Sequence, residues 1–212
     1  DFGSLDELEK REKELLEKIN GLALKMSQAR KKSSIELADL IAGELRKLEL
    51  SRAEFEIQIK EKKPDAKGID DVEFMITTNV SSALAPLAKV ASGGEISRVV
   101  LAIKCVFAKV DSLPSIIFDE IDTGISGKAS NSVAEAISNL AKDIQVFAIT
   151  HQPQIAARAD AYFRVTKSQD EKTKVSAEKL RSRESVLEAL ASMASGEVNN
   201  ASVSFARELL KS

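Results

Sequence analysis

Tryptophan is absent from this chain, tyrosine occurs once, and aromatic residues together make up 4%. Such a composition offers no stacking platform for the bases of a single nucleic-acid strand. The single cysteine, Cys105, excludes an internal disulfide and fits a reducing cytosol. The single histidine, His151, has no cysteine neighbours and gives no zinc-ligand spacing. No apolar run approaches the roughly 20 residues of a membrane helix. The opening residues Asp1-Phe2-Gly3-Ser4 lack the basic and apolar segments of a signal peptide. No membrane partner is expected. A formal charge of -2 argues against a uniformly basic nucleic-acid binder and leaves room for a local patch. One further absence narrows function most. A glycine-rich phosphate loop of the form G-x-x-x-x-G-K-[ST] occurs nowhere in the 212 residues. With 43% apolar residues the chain can still bury a real core, expected as one domain plus an extension.

The extension comes first. Leu8, Glu12, Leu15, Ile19, Leu22, Met26 and Ala29 alternate spacings of four and three, a heptad seam with one polar interruption. Residues 5–33 therefore read as one long helix, either a coiled-coil strand or a lone amphipathic helix. Charge on its other faces favours the coil, with the partner strand supplied from outside this chain. Apolar spacing tightens from Ile35 to Leu50, where the helix enters the globular body. Arg30-Lys31-Lys32 at the crossing reads as a solvated basic turn or as a DNA-backbone contact. Other basic candidates for DNA are Lys60, Lys62 and Lys63. Acidic and basic side chains balance over residues 1–63, so the arm carries no net field. This divides the chain into an arm and entry helix, 1–50, and a lobe, 51–212.

Within the lobe, Phe55, Ile57 and Ile59 alternate with polar residues, as do Val72, Phe74 and Ile76, giving two half-buried strands joined by a polar turn from Pro64 to Asp71. Thr77 to Ala91 reads as loop. A helix over 96–110 should turn Val99, Val100, Ile103, Val106, Phe107 and Val110 inward, with Cys105 a structural thiol or, alternatively, a reactive one. The apolar runs 115–118 and 145–150 read as buried strands around a helix at 129–141. That order implies a parallel sheet. A short helical turn at 154–159, strands at 162–166 and 175–180, and helices at 185–194 and 201–210 follow.

Four motifs carry chemistry. Asp119 and Glu120 end a buried strand, where ligands bind in open α/β sheets. Adjacent carboxylates there suit a cation or a proton transfer, or are simply solvated acids. Ser92-Gly93-Gly94-Glu95 precedes a helix. Two glycines permit close backbone approach to a phosphate, and the helix N-terminus offers free N–H groups; a plain N-cap with a glycine turn is the alternative. Asp122 and Gly124 suggest a tight turn touching a partner subunit, or an ordinary loop. His151 follows the second strand, one strand over from the carboxylates, and would donate a hydrogen bond to a phosphate.

Taken in order, these stretches resemble an ABC-class ATPase of the SMC/Rad50 branch. Ala91–Glu95 is similar to the signature motif, Ile116–Glu120 to the Walker B strand, Ile121–Gly124 to the D-loop, and His151 to the switch histidine. Ala91 and Glu95 replace residues common in that signature, as ordinary variation. The string Phe118-Asp119-Glu120-Ile121-Asp122-Thr123-Gly124 resembles bacterial recombinational-repair members more than chromosome-condensing ones. The resemblance implies an α/β fold: the C-terminal lobe of an ABC/SMC-type P-loop ATPase head, a parallel sheet flanked by helices, with an N-terminal coiled-coil helix returning along a short antiparallel coil. It implies ATP and Mg²⁺ as cofactors. Asp119 would hold Mg²⁺ through water, and Glu120 would act as general base with His151 at the γ-phosphate. Ser92, Gly93, Gly94, Glu95 and Asp122 would contact nucleotide, the signature reaching the ATP of a second head in a homodimer. Implied partners are the N-terminal lobe of the same protein, the second head, and DNA at double-strand breaks; the implied location is cytoplasmic, at the nucleoid. Without its phosphate loop the chain alone should neither bind ATP well nor hydrolyse it. Two rivals are a nucleotide-binding subunit of another ABC system, such as a transporter, which would need no heptad arm, and a non-catalytic dimerisation arm, which would not retain Glu120 and His151.

Overall fold

The computed structural model describes residues 4–79, 82–90, 94–169 and 173–211. By contact the chain groups into two units, Asp1–Gly43 with Arg52–Val90, and Glu44–Ser51 with Ala91–Ser212.

Helix α1 (Leu5–Lys47) starts in the first unit and, as expected of an arm that runs on into the globular body, continues into the second. Asp6 and Glu7 lie in its first turn and Arg46 and Lys47 in its last, each complementing the helix dipole. Its heptad seam is uncovered: Leu8, Leu15, Ile19, Leu22 and Met26 are 36–59% exposed. The face this unit does bury carries Ala23 and Ser27. Strands β1 (Glu54–Asp65) and β2 (Gly68–Thr77) form an antiparallel hairpin. The turn is shorter than the expected Pro64–Asp71 segment, because both strands extend into it. Phe55 and Phe74 meet edge to face, 5.6 Å between centroids. Ile76, near the open end of the hairpin, is buried, whereas Val72, nearer the turn, is 46% exposed. Asp70 fastens the hairpin to α1. It accepts from the Ser27 hydroxyl at 2.6 Å and from Arg30 Nη1 at 3.0 Å. The Ser27 hydroxyl, and then the Arg30 guanidinium, hold this buried carboxyl below its ordinary value against the cost of burial. The segment expected as loop contains a two-residue strand β3 (Ala85–Pro86) on β2 and a 3₁₀ turn, Leu87–Lys89.

In the second unit, helix α2 (Gly94–Val110) buries Val99, Leu101, Ala102, Cys105, Val106 and Ala108. Val100 and Val110, expected inward, are exposed. Leu101, Ala102, Cys105 and Ala108 fill the buried face beside Val99 and Val106. Strands β4 (Ser115–Phe118) and β5 (Gln145–Ala148) pair in parallel, with α3 (Lys128–Leu140) between them in sequence. Phe118 is buried, but Ile117, Phe147 and Ile149 are 63, 48 and 58% exposed. Strands expected to be buried on both faces are thus covered on one. Helix α4 (Pro153–Ala156) follows, then an antiparallel hairpin of β6 (Tyr162–Gln169) and β7 (Thr173–Leu180). Helices α5 (Arg183–Ser195) and α6 (Asn200–Leu209) close the unit on a cluster of Leu180, Val186, Leu190, Ala191 and Ala206. Ser182 caps α5, Asn199 forms a capping box with Ser202 on α6, and Gly196 ends α5 in the left-handed region.

Candidate nucleotide site at the ends of the parallel strands

Phe118 pairs with Ala148, and the Ile149 amide donates to the Phe118 carbonyl at 2.8 Å. Both strands therefore end at one edge. Asp119 and Glu120 leave β4 there, and Thr150, His151 and Gln152 leave β5 beside them. Asp119 and Glu120 are exposed. Glu120 adopts φ 52, a left-handed conformation that an L residue holds only when neighbours over-determine it. Two hydrogen bonds supply that constraint: the Thr123 amide donates to the Glu120 carbonyl, and the Ile125 amide to the Asp122 carbonyl, each at 3.2 Å. Ile121 and Ile125 anchor this tight turn in the core.

Asp122 is buried, at 1% exposed. One carboxylate oxygen accepts from the Thr150 hydroxyl, from the His151 amide at 2.7 Å and from the Gln152 amide at 3.1 Å. His151 Nδ1 lies 3.1 Å from the same oxygen, while the ring is 70% exposed. Burying a carboxylate is costly without such donors. Gln152 adds a second tie: its Nε2 donates to the Ile125 carbonyl at 3.2 Å and its Oε1 accepts from the Ser130 hydroxyl at 3.4 Å.

The glycine-rich turn meets the same segment. Ser92 and Gly93 lie outside the described residues. Gly94 begins α2, and a Cβ placed on it would lie 2.0 Å from the Gly124 carbonyl oxygen. Glu95 is exposed in the first turn of α2. The Ser97 hydroxyl donates to the Thr123 carbonyl at 3.4 Å. Sequence reasoning assigned no role to Thr150, Gln152 or Arg98. Arg98 donates from Nε to the Gly94 carbonyl at 3.1 Å and from Nη1 to the Leu48 carbonyl at 2.9 Å, joining the start of α2 to the C-terminal turn of α1. Glu49 in that turn takes φ 62 and receives Lys128 at 3.1 Å.

No cluster of three potential metal ligands occurs among the described residues. Asp119 fits Mg²⁺ only as one carboxylate beside water and substrate phosphates, the usual manner of that ion. Of the basic DNA candidates, Arg30 is paired with Asp70 and Lys62 with Asp65 at 2.8 Å, leaving Lys31, Lys32, Lys60 and Lys63 exposed and, among the described residues, without an ion pair closer than 4 Å. Cys105 is buried, and burial, then Glu44, push its thiol up to about 11; it is structural.

DNA repair protein RecN of Rickettsia conorii is 42% identical over 207 residues, covering 97% of this chain. RecN of Bacillus subtilis is 39% identical over 206 residues, covering 89%. The chain belongs to the RecN family. It spans only 38% and 36% of the length of those two RecN proteins. No family model matches it. Among solved structures, the Smc head domain with a coiled coil and joint from Pyrococcus yayanosii aligns at TM-score 0.65 and 19% identity, over 90% of this chain and 35% of that one. A chain from work on ATP-driven dimerization and DNA stimulated activation of SMC ATPases aligns at 0.55 and 20% identity, over 81% of this chain and 99% of that one. The fold is that of an SMC-type head, and this RecN-family segment carries it with the long helix in place.

Proposed function

We propose that this chain is the C-terminal half of an SMC-like ATPase that acts in recombinational repair of DNA double-strand breaks. The observation that carries the proposal is the β4–β5 pairing, which sends Asp119-Glu120 and His151 off one sheet edge. An upstream phosphate-loop lobe of the same protein would cover the apolar face of Ile117, Phe147 and Ile149 and hold ATP beside that edge. Glu120 would take a proton from a water as it attacks the γ-phosphorus, and ADP would leave with the electrons of the broken P–O bond. His151 would bind the γ-phosphate, and Asp119 would hold Mg²⁺ through water. That ion, when bound, would neutralise phosphate charge. Ser92, Gly93, Gly94 and Glu95 would face the nucleotide of a second head, so that ATP draws two heads together. The uncovered seam of α1 would pair with the outgoing strand of an antiparallel coil. DNA would meet the exposed lysines near the arm, in the cytoplasm at the nucleoid. The names of the relatives favour DNA repair over a transporter subunit.

The test is ATP hydrolysis by this chain, alone and mixed with the upstream lobe. Turnover is expected only in the mixture, lost by at least about a hundredfold in Glu120→Gln, as befits a general base, with ATP-dependent dimers accumulating. Turnover in Glu120→Gln equal to the wild type would refute the base assignment.

A further inference from the structure

We infer that Asp122 is the positioning residue for His151: it selects which ring nitrogen carries the proton and aims the other outward. The inference rests on the reading of His151 as the phosphate-contacting group. Asp122 is itself too buried to touch nucleotide, at 1% exposed. Its carboxylate clasps three consecutive residues, through the Thr150 hydroxyl and the amides of His151 and Gln152. This fixes the backbone at the point where β5 leaves the sheet. The His151 ring then has one nitrogen, Nδ1, 3.1 Å from the same carboxylate oxygen. Two lone pairs at that distance repel, so Nδ1 carries a proton. In the neutral ring Nε2 is then bare and faces solvent, consistent with a side chain 70% exposed. A neutral Nε2 accepts hydrogen bonds and cannot donate to phosphate. For Nε2 to donate to a phosphate oxygen, the exposed ring must take up a second proton from solvent, and it then meets the anion as an imidazolium whose charge the buried carboxylate stabilises from behind. This is the orienting relation seen wherever a carboxylate sets a histidine tautomer. It gives Asp122 a task distinct from packing: Thr150 and Gln152 share the clasp, but only His151 presents a ring to it.

The chain's single histidine makes the test direct. In uniformly ¹⁵N-labelled chain, every imidazole nitrogen signal belongs to His151 and needs no assignment by mutation. Long-range ¹H–¹⁵N spectra in alkaline buffer should show the neutral Nδ1–H tautomer in the wild type. Asp122→Ala should revert to the Nε2–H form favoured by free imidazole, while Thr150→Val, which removes one clasp donor without touching the ring, should retain Nδ1–H. A wild-type neutral ring protonated on Nε2 overturns the inference, whether or not Asp122→Ala folds; so does an unchanged tautomer in Asp122→Ala. With the upstream lobe added, Asp122→Ala should lower kcat at least tenfold and leave KM for ATP within about twofold. Equal loss in Thr150→Val would reduce Asp122 to a packing role and overturn the inference. Undiminished turnover in His151→Ala would instead refute the phosphate-contact reading, with the Asp122–His151 pairing still decided by the spectra.

Discussion

Replacing Gly94 with alanine sets two effects of known sign against each other. Gly94 is the first residue of α2, and alanine in a helix is favoured over glycine by up to about 1 kcal/mol. Propensity alone therefore predicts a stabilised protein. The added Cβ, however, would sit 2.0 Å from the Gly124 oxygen and 2.6 Å from its carbon, where real Cβ atoms keep 3.0 Å or more. Backbone must move by about 1 Å, since no side chain can rotate out of the way. Gly124 belongs to the turn that Ile121 and Ile125 anchor and that Asp122 ties to β5. Overpacking of this kind costs about 1–3 kcal/mol, with rigid backbone at the upper end. The net is a loss of about 1–2 kcal/mol. With a urea slope of about 2 kcal/mol per molar, the unfolding midpoint should fall by roughly 0.5–1 M. Circular dichroism on the chain alone reads this, free of any nucleotide effect. Hydrogen exchange should quicken at the Thr123 and Ile125 amides, whose bonds close that turn. A midpoint equal to or above the wild type, with exchange unchanged, would refute the claim that close approach to Gly124 is what requires glycine here.

Two further predictions concern groups outside the phosphate edge. Arg98→Ala removes donors to the Gly94 and Leu48 carbonyls and should cost about 1.5–3 kcal/mol in urea unfolding. Arg98→Lys should recover only part of it, because an ammonium cannot span both acceptors as the planar fork does; full recovery by lysine would show that charge alone matters. Cys105 should resist iodoacetamide in the folded chain at pH 8 and react on unfolding, since burial, then Glu44, raise its thiol to about 11. The sign of the pH effect follows. The folded thiol keeps its proton to higher pH than the unfolded one, whose ordinary value is 9.0. Stability from this group is intact below pH 9 and is lost as pH rises toward about 11, by up to about 2–3 kcal/mol. Cys105→Ala should abolish that part of the alkaline decline.

Much of the element order is readable from pattern because it depends on local spacing. The 4–3 repeat from Leu8 to Met26 yields helix whether or not a partner strand is present, and alternation at Phe55, Ile57 and Ile59 yields strand. The motif order from Gly94 through Asp119-Glu120 to His151 likewise rests on residue type and spacing alone, and the expectation of a nucleotide site comes from it. Periodicity placed Val99 and Val106 correctly on the buried face of α2 but misplaced its edges, at Val100 and Val110. Val100 and Val110 are as apolar as Val99 and Val106, and the choice among them belongs to whatever packs alongside.

By itself, the sequence determined the types of element, the family and the identity of the candidate chemical groups, since these depend on residue type and spacing along one strand of chain. Only the tertiary structure decided what Asp122 touches: the β4–β5 register brings Thr150, His151 and Gln152 over it and buries it. The same holds for Arg98, one of whose acceptors, the Leu48 carbonyl, lies fifty residues earlier, and for Asp70, whose partners lie on α1. Each of these roles rests on a hydrogen bond between residues distant in sequence, and no local pattern encodes the fold that brings them within 3 Å.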